Sequence, residues 1–260
     1  MGVRVIRKKV KSAIGRSNLP GVSYTVNPYT GCSHGCIYCY ARSYCPKEIG
    51  ENWGKVVVVK ENIVEVLAKE MRNKRKEGRL MLSTITDPYQ PLEGKEKLTR
   101  GILQVLVNGK YKVSVQTKSD LVLRDLDLIV RNRENTDVGF TLTTLDERLA
   151  GMIEPSASPP RKRIKALGRL REEGIRTWIF FGPVLPGVDE GEIMEIAEVA
   201  KATDSAIFYD KFRVKEFMKS GIVGEIAEMA RKTDWRVLAR KIQEICDSIG
   251  VKAVPAFGRI

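Results

Sequence analysis

Three cysteines lie close together near the amino-terminal end of the chain. Cys32, Cys36 and Cys39 follow a CxxxCxxC spacing within NPYTGCSHGCIYCYAR, residues 27 to 42. Thiolates at this spacing can each bind a different iron of a cubane iron–sulfur cluster, because small residues such as Gly31 let the backbone curl around it. Three protein ligands leave one iron open, and an open coordination position can bind a substrate, as that of a catalytic zinc does.

Two other kinds of site are compatible with these cysteines. A structural zinc site needs a fourth ligand, which His34 or Cys45 could supply, although the sequence has one cysteine knuckle where such sites usually have two. A ferredoxin-type cluster needs a fourth cysteine followed by proline, and Cys45 precedes Pro46. Both alternatives predict a fourth protein ligand. We favour a structural role for His34 within the tight loop.

The cysteine spacing, with Tyr38 just before the third cysteine, resembles the signature of the radical S-adenosylmethionine (SAM) superfamily. Together with STITDPYQPLE (83–93) and TKSDLVLRDLDLI (117–129), it is similar to the group related to spore photoproduct lyase. The resemblance implies a [4Fe-4S] cluster on the three cysteines, SAM on its open iron, and an external one-electron reductant. It also implies reductive cleavage of SAM to a 5′-deoxyadenosyl radical that abstracts hydrogen from a substrate.

The same resemblance gives expectations for particular side chains. In this superfamily a short motif after the second strand binds the SAM ammonium, which places Ser83, Thr84 and Asp87 as candidates. Lys118, after the third strand, could pair with the SAM carboxylate. In spore photoproduct lyase, tyrosines matching Tyr38 and Tyr40 are implicated in hydrogen relay together with a donor cysteine, and that cysteine is not evident here.

Strand and helix patterns alternate along the chain. Six strands are predicted, starting at residues 22, 80, 111, 137, 176 and 205, with helices between them. Alternation of this kind predicts an α/β fold with a parallel sheet, and the resemblance implies a partial (β/α)6 barrel in a single domain. An open doubly wound sheet fits the pattern equally. We expect a basic arm over 1–20, a barrel over 21–260 with the cluster loop at 31–40, and a loop with a short helix over 211–224.

The chain carries 45 Lys and Arg against 32 Asp and Glu, a formal net charge of +13. This excess favours a polyanionic partner such as nucleic acid, although charge-rich sequences also accompany thermal adaptation and solubility. Basic residues that begin a predicted helix are candidates for phosphate binding. They are Arg161, Lys162, Arg163 and Lys165.

Cysteine usage and hydropathy bear on the compartment. Three of the five cysteines share one loop, which is unlike the even framework of a secreted disulfide protein. The sequence has neither the apolar stretch of a signal peptide nor an apolar run of membrane-spanning length. We therefore expect a cytoplasmic protein without a membrane partner.

Three functions are consistent with the sequence. The first is a radical SAM enzyme of the spore photoproduct lyase-like group that acts on nucleic acid or a nucleotide-like substrate. The second keeps the radical chemistry but has a peptide or small metabolite as substrate. The third is an iron–sulfur protein without catalytic activity that transfers electrons or senses redox state.

Overall fold

Eleven strands lie in the part of the chain that the computed structural model describes, residues 2–73 and 77–256. In chain order they are β1 (Arg4–Lys8), β2 (Ile14–Arg16), β3 (Tyr24–Val26), β4 (Tyr29–Thr30), β5 (Val56–Lys60), β6 (Arg79–Leu82), β7 (Lys112–Thr117), β8 (Thr136–Thr141), β9 (Arg176–Val184), β10 (Ala206–Lys211) and β11 (Ala253–Pro255). Met1, residues 74–76 and residues 257–260, which belong to the expected arm and barrel, lie outside the described residues.

The main sheet has the strand order β11-β10-β9-β8-β7-β6-β3-β2. Each neighbouring pair from β3 to β11 is parallel, and β2 is antiparallel to β3. The six predicted strands are β3, β6, β7, β8, β9 and β10, so the α/β prediction is confirmed. The sheet is open, with β2 and β11 as its described edges, as expected for a partial barrel in a single domain.

Strand register brings the carboxyl ends of neighbouring strands to one edge of the sheet. Val26 at the end of β3 pairs with Leu82 at the end of β6, and Leu82 pairs with Val115 near the end of β7. The segments that follow these strands therefore begin side by side. Ligands of parallel α/β sheets gather at this edge.

Ten α-helices accompany the strands in the described residues. They are α1 (Lys47–Glu51), α2 (Ile63–Asn73), α3 (Glu93–Glu96), α4 (Leu98–Asn108), α5 (Leu126–Arg131), α6 (Glu147–Ile153), α7 (Pro160–Glu172), α8 (Glu190–Ala202), α9 (Gly221–Lys232) and α10 (Trp235–Ser248). Short 3-10 helices span Tyr40–Tyr44, Asp120–Asp125 and Arg133–Asn135. The helix predicted between the strands at 111 and 137 therefore begins as a 3-10 turn. None of the helices in residues 2–73 and 77–256 combines the length and apolar character needed to cross a bilayer.

The main core lies between the sheet and the helices. Apolar residues of α2, α4, α7 and α8, such as Leu67, Leu103, Leu167 and Ile196, pack with buried strand residues of the sheet. Cys246 of α10 is fully buried in the same core, as its position on an apolar helical stripe predicts. This core leaves the carboxyl edge of the strands to polar side chains.

Two features were not predicted. Residues 4–8, expected in a basic arm, form β1, which pairs with β5 in a small sheet of order β1-β5-β4. The division into an arm and a barrel stays a prediction. The segment 211–224, expected to contain a short helix, instead leads into the twelve-residue helix α9. Residues 212–232, called the cap below, pack against the cysteine loop.

Candidate active site

The cysteine loop is built from successive tight turns after β4. The carbonyl of each cysteine accepts a hydrogen bond from the backbone N–H three residues later: Cys32 from Gly35 (3.2 Å), Cys36 from Cys39 (3.2 Å) and Cys39 from Arg42 (3.3 Å). At Gly31, φ is +84°, and an added Cβ would lie 2.6 Å from the carbonyl oxygen of Val56. Only glycine fits there, and the sharp curl brings the thiols together.

The three thiols are unusually resistant to ionisation. All are free, Cys32 and Cys36 are buried, and Cys39 is half-buried. Burial raises the pKa of each thiol, to about 12 for Cys32. Lys118 partly opposes this increase for Cys36 and Cys39. Thiolates buried in this way need a compensating positive charge, and a bound metal provides it because coordination deprotonates the thiol.

The two side chains that could add a fourth ligand already have other contacts. The thiol of Cys45 donates to the carbonyls of Ala41 (3.1 Å) and Arg42 (3.5 Å). His34 is buried; its Nδ1 donates to the carbonyl of Ser156 (2.8 Å), and its Nε2 lies 3.4 Å from Oδ2 of Asp87. In residues 2–73 and 77–256, no three His, Cys, Asp or Glu side chains converge on a position for a single metal ion. A cubane does not require such convergence, because each cysteine meets a different iron.

Asp87 is at the centre of a hydrogen-bond group beneath the loop. Its Oδ1 accepts from the backbone N–H of Tyr89 (2.8 Å) and the hydroxyl of Thr117 (2.7 Å). Its Oδ2 accepts from the backbone N–H of Lys118 (2.9 Å) and lies 3.4 Å from Nε2 of His34, without hydrogen-bond alignment. Burial opposes ionisation, but His34 and these hydrogen bonds lower the pKa of Asp87 to about 2.

Ser83 and Thr84 follow β6 at the edge next to the cysteine loop. Ser83 has φ of +65°, which is uncommon for a residue other than glycine, and its buried Oγ has no hydrogen-bond partner. The backbone N–H of Thr84 donates to Oδ1 of Asn27 (2.9 Å), which ties this segment to the start of the loop. A strained backbone holding an unpaired buried hydroxyl is typical of a ligand site.

Lys118 follows β7 and faces the cysteine loop. Its Nζ lies 5.8 Å from the centre of the Tyr38 ring, and it has no hydrogen bond or ion pair with any described residue. Burial lowers the pKa of Lys118, but Cys36, Glu154 and other acidic groups nearby raise it, and the net effect is an increase. The side chain is therefore a positive charge that lacks a direct partner beside the thiols.

Tyr38 belongs to a buried polar group that the sequence did not reveal. Its hydroxyl donates to Glu154 and lies 3.1 Å from the hydroxyl of Thr143. Glu154 also accepts from Arg163, which is only 1% exposed and donates to the carbonyl of Thr141 (2.9 Å). Burial raises the pKa of Glu154, but Arg163 and Lys118 lower it below the ordinary value. The carboxylate therefore stays ionised and fixes the Tyr38 hydroxyl.

These contacts correct the expectation for the basic residues of α7. The helix begins at Pro160 as predicted, but Arg163 points into the protein and pairs with Glu154. Arg161 pairs with Glu147 on the surface. Arg163 is thus unavailable to phosphate, because a buried guanidinium needs its charged and carbonyl partners within the fold.

Tyr40 differs from Tyr38 in its surroundings. It begins a 3-10 helix, is 46% exposed, and stacks edge-on with Tyr44 at 6.0 Å between ring centres. Its hydroxyl donates to the carbonyl of Thr84. Tyr40 therefore connects the surface of the cysteine loop to the segment after β6.

Two further residues brace the loop and were missed as site residues in the sequence. The buried side chain of Gln90 accepts from the backbone N–H of Ser33 (2.7 Å) and donates to Thr86 (3.0 Å). The hydroxyl of Thr86 donates to the carbonyl of Gly31 (2.6 Å). Both residues lie in the STITDPYQPLE motif, so the motif itself was the available signal.

Behind this brace lies an ionic network of four charged side chains. They are Glu93, Arg100, Arg124 and Asp125. Glu93 and Asp125 are fully buried, and Arg124 donates to both of them at 2.7 Å. The Tyr89 hydroxyl donates to Asp125 (3.1 Å), and that of Tyr29 donates to Glu93. The network connects the motifs at 83–93 and 117–129 to β4, the strand before the cysteine loop.

Buried polar atoms without partners concentrate around the cysteine loop. In the described residues they are Ser33 Oγ, His34 Nε2, Trp53 Nε1 and Ser83 Oγ. The first two lie in the loop, and Trp53 precedes Gly54, whose Cα would lie 3.4 Å from a Cβ added at Gly35. Because buried polar groups normally have partners, this concentration indicates a polar ligand. A sulfide-containing cluster and a SAM molecule fit these atoms and the three thiols.

Comparison with known proteins finds relatives of similar sequence. An uncharacterized protein of Methanocaldococcus jannaschii is 33% identical over 263 residues, covering 98% of this chain and 97% of that protein. An uncharacterized protein of Mycobacterium tuberculosis is 35% identical over 189 residues, covering 69% of this chain and 55% of that protein. The chain thus spans about half the length of its mycobacterial relative.

The fold is similar to that of spore photoproduct lyase. A mutant of that enzyme with bound AdoMet and dinucleoside spore photoproduct superposes with a TM-score of 0.69 at 15% identity, covering 97% of this chain and 82% of that one. The sequence profile of the Radical SAM superfamily matches residues 26–200, which include the cysteine loop and the ends of β6 and β7. Because this match covers well over half of the chain, the protein belongs to the radical SAM superfamily.

Proposed function

We propose that this protein is a radical SAM enzyme that abstracts hydrogen from a nucleic acid or nucleotide-like substrate. The observation that carries the proposal is the concentration of unpaired buried polar atoms around two buried thiols and one half-buried thiol, beside a lysine without a direct partner among the described residues. Superfamily membership implies SAM and an iron–sulfur cluster. The protein's own residues explain how both would be held.

Cys32, Cys36 and Cys39 are the proposed ligands of one [4Fe-4S] cluster. When bound, the cluster supplies an electron, received from an external reductant, for the cleavage of SAM to a 5′-deoxyadenosyl radical. The tight turns at each cysteine orient the thiols, and Gln90 and Thr86 hold the loop backbone. Cys45 and His34 keep their contacts with the protein and leave one coordination position for SAM.

The proposed SAM contacts come from the segments after β6 and β7. The unpaired hydroxyl of Ser83 and the backbone of Thr84 would bind the ammonium group, and Lys118 would pair with the carboxylate. We had also expected Asp87 to contact SAM. Its oxygens already accept from three groups and face a fourth, so we propose that it positions His34 and Lys118 instead.

The proposed substrate class rests on charge, on Tyr40 and on the structural neighbour. The net charge of +13 favours a polyanionic substrate. The structurally similar spore photoproduct lyase binds a dinucleoside spore photoproduct. Tyr40 is exposed beside the Thr84 carbonyl and is suited to lie between SAM and a substrate. We assign it the hydrogen relay, whereas Tyr38, whose hydroxyl is bound to Glu154, would support the loop.

We do not extend the proposal to reversal of thymine lesions. Outside the cysteine loop, the sequence has Cys45 and Cys246. Cys246 is buried in the core, and the thiol of Cys45 donates to backbone carbonyls. A donor cysteine at the site is therefore not evident, and abstraction could serve another change of a base or sugar.

Anaerobic reconstitution with iron and sulfide tests the proposal. We expect the reduced protein to give an EPR signal that SAM perturbs, and to release 5′-deoxyadenosine. With oligonucleotides deuterated in the base and sugar, deuterium should enter 5′-deoxyadenosine. Deuterium transfer from peptides or metabolites alone would assign the second class of substrate. A stable cluster that never cleaves SAM would support an electron-transfer protein.

A further inference from the structure

A positively charged pocket lies on the outer side of the cap. Its volume is about 490 Å³, and it opens to solvent between the segment after β10 and the end of α9. The lining residues are Val214, Lys215, Glu216, Met218, Lys219 and Arg231. Three cations and one carboxylate thus surround a space large enough for phosphate groups.

The three cations of this pocket have no acidic partner among residues 2–73 and 77–256. The charged groups of Lys215, Lys219 and Arg231 form no ion pair or hydrogen bond there, and Lys215 donates only through its backbone N–H, to Met218 (3.3 Å). The adjacent Arg213 behaves differently, because it donates to both oxygens of Asp210 at 2.8 and 3.0 Å. The charge of the pocket is therefore available to a ligand.

The inner side of the cap packs on the cysteine loop. Met218 lines the pocket and also belongs to an apolar cluster with Cys36 and Tyr38. The guanidinium of Arg42 lies 4.7 Å from the ring centre of Phe217. Met218 thus lies both at the pocket and in the cluster that packs on the cysteine loop.

The pocket also lies at the sheet edge that carries the proposed active site. The cap begins directly after the carboxyl end of β10, and the cysteine loop follows the carboxyl end of β3 in the same sheet. The cap and the cysteine loop therefore both follow carboxyl ends of strands in one sheet.

We infer that the pocket formed by Lys215, Lys219 and Arg231 binds the phosphate backbone of the nucleic acid substrate. This inference rests on the proposed function and concerns affinity, not radical chemistry. Cations without protein partners can neutralise phosphates without first losing an ion pair. Contacts with the backbone would position a strand without reading its sequence.

The test measures binding of a fluorescein-labelled single-stranded oligonucleotide of about 20 nucleotides by anisotropy, between about 50 and 200 mM salt. The variant Lys215→Ala/Lys219→Ala/Arg231→Ala removes the three charges. The matched control, Lys110→Ala/Lys112→Ala/Lys252→Ala, removes three exposed charges near the amino ends of strands at the opposite edge. Cluster content and the EPR response to SAM are recorded for both variants.

We expect the pocket variant to shallow the log–log dependence of affinity on salt by about 2 units, roughly 0.7 for each lost phosphate contact. The control should keep the slope of the parent protein. Each single substitution should remove about a third of the effect, and all variants should retain cluster and the SAM response.

Equal slopes for the pocket variant and the parent protein would overturn the inference while leaving the proposed substrate class intact. Competition by millimolar inorganic phosphate as effective as that by the oligonucleotide would also overturn it, because the pocket would then be a small-anion site. Failure of the parent protein to bind the oligonucleotide would overturn the pocket assignment and the nucleic acid substrate, and it would leave a nucleotide-like substrate to the deuterium-transfer test.

Discussion

Two buried polar regions lie on either side of the segment that follows β6, and they differ in how their hydrogen bonds are satisfied. In the ionic network, the carboxylates of Glu93 and Asp125 each have an arginine and a tyrosine as partners. Around the cysteine loop, buried atoms such as Ser83 Oγ lack a partner, and Lys118 lacks a counter-ion within hydrogen-bond reach. Buried polar groups that serve the fold are paired, and the unpaired ones mark the proposed ligand site.

The same two motifs contribute to both regions. The motif from 83 to 93 contributes Ser83 to the proposed SAM site and Glu93 to the ionic network. The motif from 117 to 129 supplies Lys118 to the site and Asp125 to the network. A residue's place in a motif therefore does not tell whether it contacts a ligand or supports the fold. The number of hydrogen-bond partners that the residue has within the protein does distinguish the two roles.

Removal of a loop thiol should have the largest effect. We expect Cys32→Ala, Cys36→Ala or Cys39→Ala each to abolish the cluster. Only three protein ligands would hold it, and water does not readily replace a lost thiolate in a site shielded from solvent. Iron and sulfide content and the reduced-state EPR signal measure the loss. Cys45→Ala serves as the control and should keep the cluster. Its loss in Cys45→Ala would reveal a four-cysteine site.

The ionic network should control stability instead of chemistry. Asp125→Ala removes the buried partner of Arg100 and the acceptor of the Tyr89 hydroxyl, whereas Arg124 keeps Glu93. We therefore expect a loss of about 3 kcal/mol in the free energy of unfolding. Urea denaturation measures it, with Glu134→Ala on the surface as the control. A variant of normal stability that fails to bind SAM would contradict the contrast between the two regions.

Lys118 should show the opposite behaviour. Lys118→Met removes a charge that has no direct partner in the described fold, so unfolding should change little. SAM affinity should fall about 10- to 100-fold, as expected for a lost charge-assisted hydrogen bond. Anaerobic calorimetry measures the affinity, and Lys112→Met is the control. Unchanged affinity would remove Lys118 from the SAM site.

Acid should reveal the positioning role of Asp87. Its pKa of about 2 lies below the ordinary value of 3.8, so its ionised form stabilises the fold above pH 4, and this contribution is lost as the pH falls toward 2. Over this pH range, we expect the free energy of unfolding of the cluster-free parent protein to fall by about 2 kcal/mol more than that of the cluster-free Asp87→Asn variant. Denaturation curves at several pH values measure the difference. Parallel losses would show that Asp87 does not carry this linkage.

Most of the fold could be predicted, because alternating strands and helices leave a clear periodic signal. The central strands follow from short buried apolar runs such as Leu80–Leu82 in β6. The small sheet could not be predicted, because β1 is basic and largely exposed and its pairing with β5 depends on contacts about fifty residues apart. The hydropathy of β1 does not indicate that it pairs with β5.

The sequence predicts the site best where a residue type is specific for one kind of binding. Three closely spaced cysteines predict a cluster loop, because thiolates at this spacing are typical metal ligands. The pairing of Glu154 with Arg163 could not be foreseen, because a glutamate after a helix and an arginine in a basic run are typical of a surface. Asp87 was expected at the ligand, but the fold brings His34 and the Lys118 backbone to its oxygens.

The small sheet also bears on the order of synthesis. It consists wholly of residues from the first sixty, and it flanks the cysteine loop, which lies between β4 and β5. The residues that cover the loop, namely Gln90, Glu154 and the cap, leave the ribosome later. During translation, the three thiols therefore emerge before the chain segments that enclose them in the folded protein.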